Sequence, residues 1–162
     1  MTVSRVHLRI LWTALLIGAQ TLTPAAAADI PTRNPPVEDR ALRESREAVK
    51  SSQWVRAVGL LQAYVKANPQ DADGHNLLGF SYRKLGRYTE SEAAYDRALA
   101  IDPNHIGAHE YRGELMLLLG RREKALAHLH SLERLCGVQC EEYQDLLRAL
   151  DARPPDRPKP RQ

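Results

Sequence analysis

Residues 72–105 read ADGHNLLGFSYRKLGRYTESEAAYDRALAIDPNH, and this stretch decides the fold. Leu78, Gly79, Tyr82 and Leu85 fall at the three- and four-residue spacing that gathers side chains on one helical face. Gly86 then stops the helix, because glycine enters the left-handed backbone region without a Cβ clash. Beyond it, Ser91, Tyr95 and Ala98 line one face of a second helix. Asp102-Pro103-Asn104 closes that helix, since proline donates no backbone hydrogen bond and drives the preceding residue out of the helical region. The stretch predicts two helices folded back on each other through a short turn.

The pattern recurs on both sides with a period of 34 residues, which sets units at 38–71, 72–105 and 106–139. A small residue recurs as Ser45, Gly79 and Gly113, and a second as Ala57, Ser91 and Ala125. A bulky apolar position recurs as Leu61, Tyr95 and Leu129, and the stop between units as Pro69, Pro103 and Gly137. The outer units depart from the central one. Residues 106–139 carry Arg112, Met116 and Leu132, and residues 38–71 carry Glu44 and Tyr64, at positions that would otherwise be apolar, aromatic or small. A helix pair cannot bury its apolar face alone, so a stack needs about three units and an end helix with one wet side. Residues 141–151 supply that helix, with Tyr143, Leu146, Leu147 and Leu150 on one face and Glu141, Glu142, Gln144, Asp145 and Arg148 on the other. The fold class is all-α, with helices expected near 38–50, 54–67, 72–85, 88–101, 106–119, 122–135 and 141–151.

The ends read differently. Arg5, His7 and Arg9 precede a short apolar stretch from Ile10 to Leu22, followed by Pro24 and Ala25 to Ala28, the order of a secretory signal at residues 1–28. The apolar stretch is shorter than the roughly 20 residues of a membrane-spanning helix, so no stable membrane insertion is expected after cleavage. Export is therefore expected, to the periplasm in a bacterium and to the exterior otherwise. Residues 29–37 read as a flexible linker and residues 152–162 as a disordered tail rich in proline and arginine. Cleavage removes two arginines and no acid, leaving 21 basic against 20 acidic residues in the mature chain. A nearly balanced charge, interspersed along helices, excludes nucleic acid as the expected partner.

The central unit resembles the tetratricopeptide repeat family, with Leu78-Gly79, Tyr82, Gly86, Tyr95, Ala98 and Pro103 where that family's motif has them. The resemblance extends over residues 38–139 and implies an α-solenoid of three helix pairs plus the cap at 141–151. It also implies a concave wall made by the first helix of each pair, where a protein or peptide partner lies. Carried over by position, that wall comprises Arg46, Lys50, Asn76, Phe80, Arg83, Lys84, Glu110, Tyr111 and Glu114, basic at one end and acidic at the other. The family's carboxylate-gripping clamp is not expected, because Leu42, Arg46, Leu77, Gly107 and Tyr111 stand at its positions. The implied role is an exported scaffold or adaptor, with an assembly factor for an exported complex, such as one in cytochrome maturation, as an alternative.

Two cysteines survive export, Cys136 and Cys140, at the turn before the cap. In an oxidising compartment a disulfide between them is the expected state. The rival is a metal-handling or redox role, using both thiols with His128 or His130. Against it, the spacing matches no standard zinc pattern, and no metal site or cofactor is assigned. His75 and His109 occupy the same repeat position, which points to packing, while His105 and His109 share a face if the helix has begun by His105. No Gly-x-Ser-x-Gly elbow, His-Glu-x-x-His pair or glycine-rich phosphate loop is present, so no catalytic residue is assigned and an enzyme is not expected.

Overall fold

The computed structural model describes residues 40–152; the expected signal, linker and tail lie outside the described residues, apart from Ala152. These residues form seven helices and no strand: α1 (Arg40–Lys50), α2 (Trp54–Ala67), α3 (Ala72–Lys84), α4 (Tyr88–Ile101), α5 (Ile106–Leu118), α6 (Arg122–Cys136) and α7 (Glu141–Ala152). Ala152, expected in the tail, closes α7 instead. Gly86, Gly120 and Gly137 take positive φ at helix ends. The starts of α3 and α5 are capped by their own sequence. The Asp71 carboxylate accepts from Gly74 N at 2.9 Å, and His105 Nδ1 accepts from Ala108 N at 3.2 Å.

Each odd helix packs on the even helix that follows it, and α7 lies against α5 and α6. Odd helices also touch one another, α1 with α3, α3 with α5 and α5 with α7. The backbones of α2 and α4, and of α4 and α6, do not come within 8 Å of each other at their Cα atoms. A stack that is close along one row of helices and open along the other must curve, with the close row inside. The core follows the same path in two clusters. Leu61, Tyr64, Leu78 and Tyr82 belong to the first, and Tyr95, Leu115, Leu129, Leu146 and Leu150 to the second.

Three glycines mark where helices approach most closely. A Cβ on Gly79 would stand 2.7 Å from the Tyr95 ring, one on Gly74 2.7 Å from Tyr64, and one on Gly113 2.5 Å from Leu146. Tyr64, which departs from the small residues expected at its position, fits because Gly74 of the next unit faces it. In the third unit the departures Met116 and Leu132 are both fully buried in the second cluster, so they fill the core rather than loosen it.

Gly79→Ala should therefore destabilise the domain by about 1–3 kcal/mol in urea denaturation, because the fully buried Tyr95 ring has nowhere to retreat. Gly59→Ala is the control: nothing lies within 4 Å of its Cβ position, and this exposed helical site should gain about 0.5–1 kcal/mol. Equal effects at the two positions would contradict the packing described.

Candidate binding surface

The inner row of helices brings most of the sequence-derived wall together, with an aromatic line at its centre. Trp54, Phe80 and Tyr111 follow one another, ring centroids 5.8 Å apart for the first pair and 4.9 Å for the second. These spacings lie within the range of favourable aromatic pairs. The Arg83 guanidinium lies 5.3 Å from the Phe80 ring centre and 5.8 Å from that of Tyr111. The Lys84 ammonium lies 5.3 Å from Phe80 and 5.8 Å from Trp54, so the line carries cations along its length.

Trp54 is the residue that sequence reasoning missed. It begins α2, a second helix of a pair, and the repeat alone assigns such helices to the outer row. The signal available was its place just after the Ser51-Ser52-Gln53 turn, level with the C-terminal end of the first helix.

The charges of the wall are mostly spoken for. Arg46 pairs with Asp73 at 2.9 Å, and Asp73 also accepts from His105 at 3.0 Å, linking α1, α3 and α5. The His105 hydrogen bond, and then Arg46, hold the Asp73 carboxyl down at about 2. Arg83 pairs with Glu114 at 2.6 Å. Asn76 and Glu110 are each 6% exposed and offer a partner little surface. Burial, followed by the carboxylates of Glu114, Glu142 and Glu141, pushes the Glu110 carboxyl up to about 8. Lys50 and Lys84 are exposed and have no carboxylate partner among the described residues.

The histidines are absorbed elsewhere. His75 and His109 play the same part in successive units, each with Nε2 on the carbonyl of the proline ending the unit before, Pro69 at 3.3 Å and Pro103 at 3.0 Å. His105 caps α5 and bonds Asp73, so it forms no pair with His109. Instead His109 Nδ1 meets His128 Nδ1 at 3.0 Å, and Arg112, itself paired with Asp96, donates to His128 Nε2 at 3.2 Å. An arginine can only donate, so His128 Nε2 is the acceptor and its Nδ1 carries the proton. Hydrogen bonds then run in one direction, from Arg112 through His128 and His109 to the Pro103 carbonyl. Both rings are neutral in this arrangement. Burial, followed by Arg112 and His109, brings His128 down to about 4, and burial also lowers His109.

Cys136 and Cys140 face each other with Cα atoms 5.8 Å apart and their sulfurs in contact. The Glu142 carboxylate joins them, the three ligand atoms lying within 4.8 Å of one another. Among the described residues no histidine belongs to that group, and no helix is long and apolar enough to cross a membrane.

Comparison with known proteins finds the tetratricopeptide repeat family's profile matching residues 42–106. Cellulose synthase operon protein C of Escherichia coli (strain K12) is 35% identical over 65 residues, which is 40% of this chain. That stretch is 6% of the E. coli protein, so the chain spans a small fraction of this relative's length. Among solved structures, the tetratricopeptide domain of Arabidopsis OM64 has a TM-score of 0.64 at 21% identity, over 69% of this chain and 92% of that one. The second such domain is TPR2B of yeast Sti1, in a complex with pHsp70, with a TM-score of 0.62 at 24% identity, over 70% and 95% of the two chains.

The buried groups set opposite pH dependences. His128 binds a proton less readily when folded, so its contribution is present above about pH 6.5 and is lost as pH falls toward 4. Glu110 is raised, so its contribution is present below about pH 4.5 and is lost as pH rises through 8. His128→Gln should flatten the acid limb of a Tm-against-pH curve, by up to roughly 3 kcal/mol across that window. Glu110→Gln should raise Tm at pH 8 and above while changing little near pH 4.5. Acid limbs that superimpose for wild type and His128→Gln would contradict the tautomers assigned.

Proposed function

Since this chain belongs to the tetratricopeptide repeat family and folds as an all-α repeat stack, we propose that it is a non-catalytic scaffold holding a protein or peptide against its inner wall. The line of Trp54, Phe80 and Tyr111 carries this reading. Adjacent aromatic rings with cations over them offer apolar area and a charge at one place, the composition of binding hot spots. Lys84 still lacks a carboxylate, and a partner can provide one. The matching segment carries an apolar side chain for the rings and an acidic residue for Lys84. The yeast Sti1 domain, in its complex with pHsp70, gives this fold a precedent as a binding module.

The scaffold is exported, on the reading of residues 1–28 as a signal, and Cys136 and Cys140 form a disulfide in the oxidising compartment. This bond would tie the end of α6 to the start of the cap. Alkylation and mass spectrometry of protein recovered from that compartment should find no free thiol. Two free thiols would overturn the oxidised assignment and leave the wall untouched.

The wall is tested with a photoreactive residue at position 111. It should capture one defined partner, and Trp54→Ala or Lys84→Glu should weaken binding of that partner about tenfold or more. Labelling no stronger than from the outward Arg97 position, or indifference to both substitutions, would remove the inner wall as the docking surface.

A further inference from the structure

The chain reversals divide the domain into two edges of opposite charge. Successive helices run back and forth, so the turns at 51–53, 85–87 and 119–121 lie along one edge, and those at 68–71, 102–105 and 137–140 along the other. α7 runs toward the first edge and ends there. Side chains join the members of that edge. The Lys84 ammonium lies 5.8 Å from the Trp54 ring, Arg121 pairs with Glu92 of α4 at 2.8 Å, and Arg122 donates to Leu150 O at 2.8 Å.

The first edge is basic. Lys50, Arg56, Lys84, Arg121, Arg122 and Lys124 stand in its turns or in the helix ends beside them. Its acids are Glu90 and Glu92, held by Arg87 and Arg121, together with Glu123 and Asp151. Lys50, Lys84 and Lys124 are exposed and no carboxylate pairs with them among the described residues, while Arg56 donates to the neutral Gln53 side chain at 3.1 Å. The other edge reverses the balance, with Asp71, Asp73, Asp102, Glu141 and Glu142 against Lys66 and Arg134 in and beside its turns. Apolar side chains stand among the cations of the first edge. Val55 is 76% exposed and Tyr88 36%, and an open pocket of about 550 Å3 lined by Trp54, Val55, Arg56 and Leu85 lies between the first two turns.

We propose that this edge rests reversibly on an anionic lipid surface, with the acidic edge turned toward water. A bilayer face is extended, so it meets three turns and the end of α7 at once, whereas a peptide would meet one pair of turns at a time. The cations draw the edge to anionic headgroups, and Trp54, Val55 and Tyr88 bring apolar and aromatic area to headgroup depth, where such side chains are favoured. Reversible anchoring takes two such signals together, and it requires no spanning helix. Residues 153–162 follow directly from α7 and add Arg153, Arg157, Lys159 and Arg161 against Asp156. The contact is peripheral and involves no insertion of a helix. It does not depend on the inner wall, because Val55, Arg56 and Lys124 lie outside that wall.

The mature chain, from Asp29, is mixed with vesicles of phosphatidylcholine alone and of phosphatidylcholine with about one third phosphatidylglycerol. Binding is read by flotation and by the emission of Trp54, since Trp12 falls within the expected signal. The expected result is binding to the phosphatidylglycerol vesicles with a blue shift of that emission, weakened about tenfold or more between about 0.05 and 0.5 M salt. Val55→Asp should weaken binding about tenfold, and the double variant Arg56→Glu, Lys124→Glu by at least as much. Val138→Asp makes the same change at an exposed valine of the acidic edge and should alter nothing. Circular dichroism confirms that each variant keeps its helices, and at position 55 an acid enters the first turn of α2, where it favours the helix. No binding to the anionic vesicles, equal binding to both kinds, or undiminished binding in Val55→Asp and the double variant would overturn the proposal. So would an equal loss in Val138→Asp, or equal affinity for poly-glutamate, which would put an acidic protein on this edge instead.

Discussion

Everything in this domain rests on how closely its helices approach one another, and that distance is set at residues without a side chain. Gly79 lets the Tyr95 ring lie on the backbone of α3, Gly74 does the same for Tyr64, and Gly113 admits Leu146 from the cap. The three contacts work at different levels: within the second unit, between the first and second, and between the third unit and α7. A stack of helix pairs is held only by neighbouring contacts, so the loss of any one level cannot be made good by distant parts of the chain. Close approach along the odd helices also produces the curvature, because the backbones of the even helices stay further apart.

Curvature in turn decides which charges a partner would meet. On the inner face Arg46, Asp73 and His105 satisfy one another across three helices, and Arg83 and Glu114 form a pair of their own. These groups brace the wall and contribute little free charge. The exposed Arg46–Asp73 pair adds at most about 1 kcal/mol to stability, so its larger effect is geometric, holding α1 at a fixed offset from α3. The aromatic line, flanked by a lysine without a carboxylate, remains as the accessible chemistry. At the other end, carboxylates crowd around a buried Glu110 near the start of the cap.

The fold was legible in the sequence because the 34-residue spacing repeats the same decisions three times, and because Gly86, Pro103 and their equivalents mark the helix ends. Phe80, Tyr111, Arg83 and Lys84 were legible from the same spacing, which places them along the inner row. What could not be read was anything that depends on two units at once. Asn76 and Glu110 occupy wall positions by spacing, yet they are buried by neighbours in the stack. Trp54 reaches the inner line because the turn before it brings the start of α2 level with α3. The cysteine pair was visible, but Glu142 as its companion depends on how α7 leaves the turn.

The third unit shows how departures from a repeat can be mutually dependent. Where the second unit has Leu78 and Ala94, the third has Arg112 and His128. Alone, either substitution would place a polar group at a packed position with part of its hydrogen bonding unmet, at a cost of about 1–3 kcal/mol. Together they bond each other, leaving only Arg112 Nε without an acceptor among the described residues, and the chain continues to His109 and the Pro103 carbonyl. The other end of that chain is Asp96, which belongs to α4 of the preceding unit. The corresponding residue of the first unit is Gln62, which carries no charge to balance an arginine. The third unit is thus matched to the second in a way that it would not be matched to the first. A polar chain at one interface fixes the order of units, which interchangeable apolar contacts along the rest of the stack would leave open.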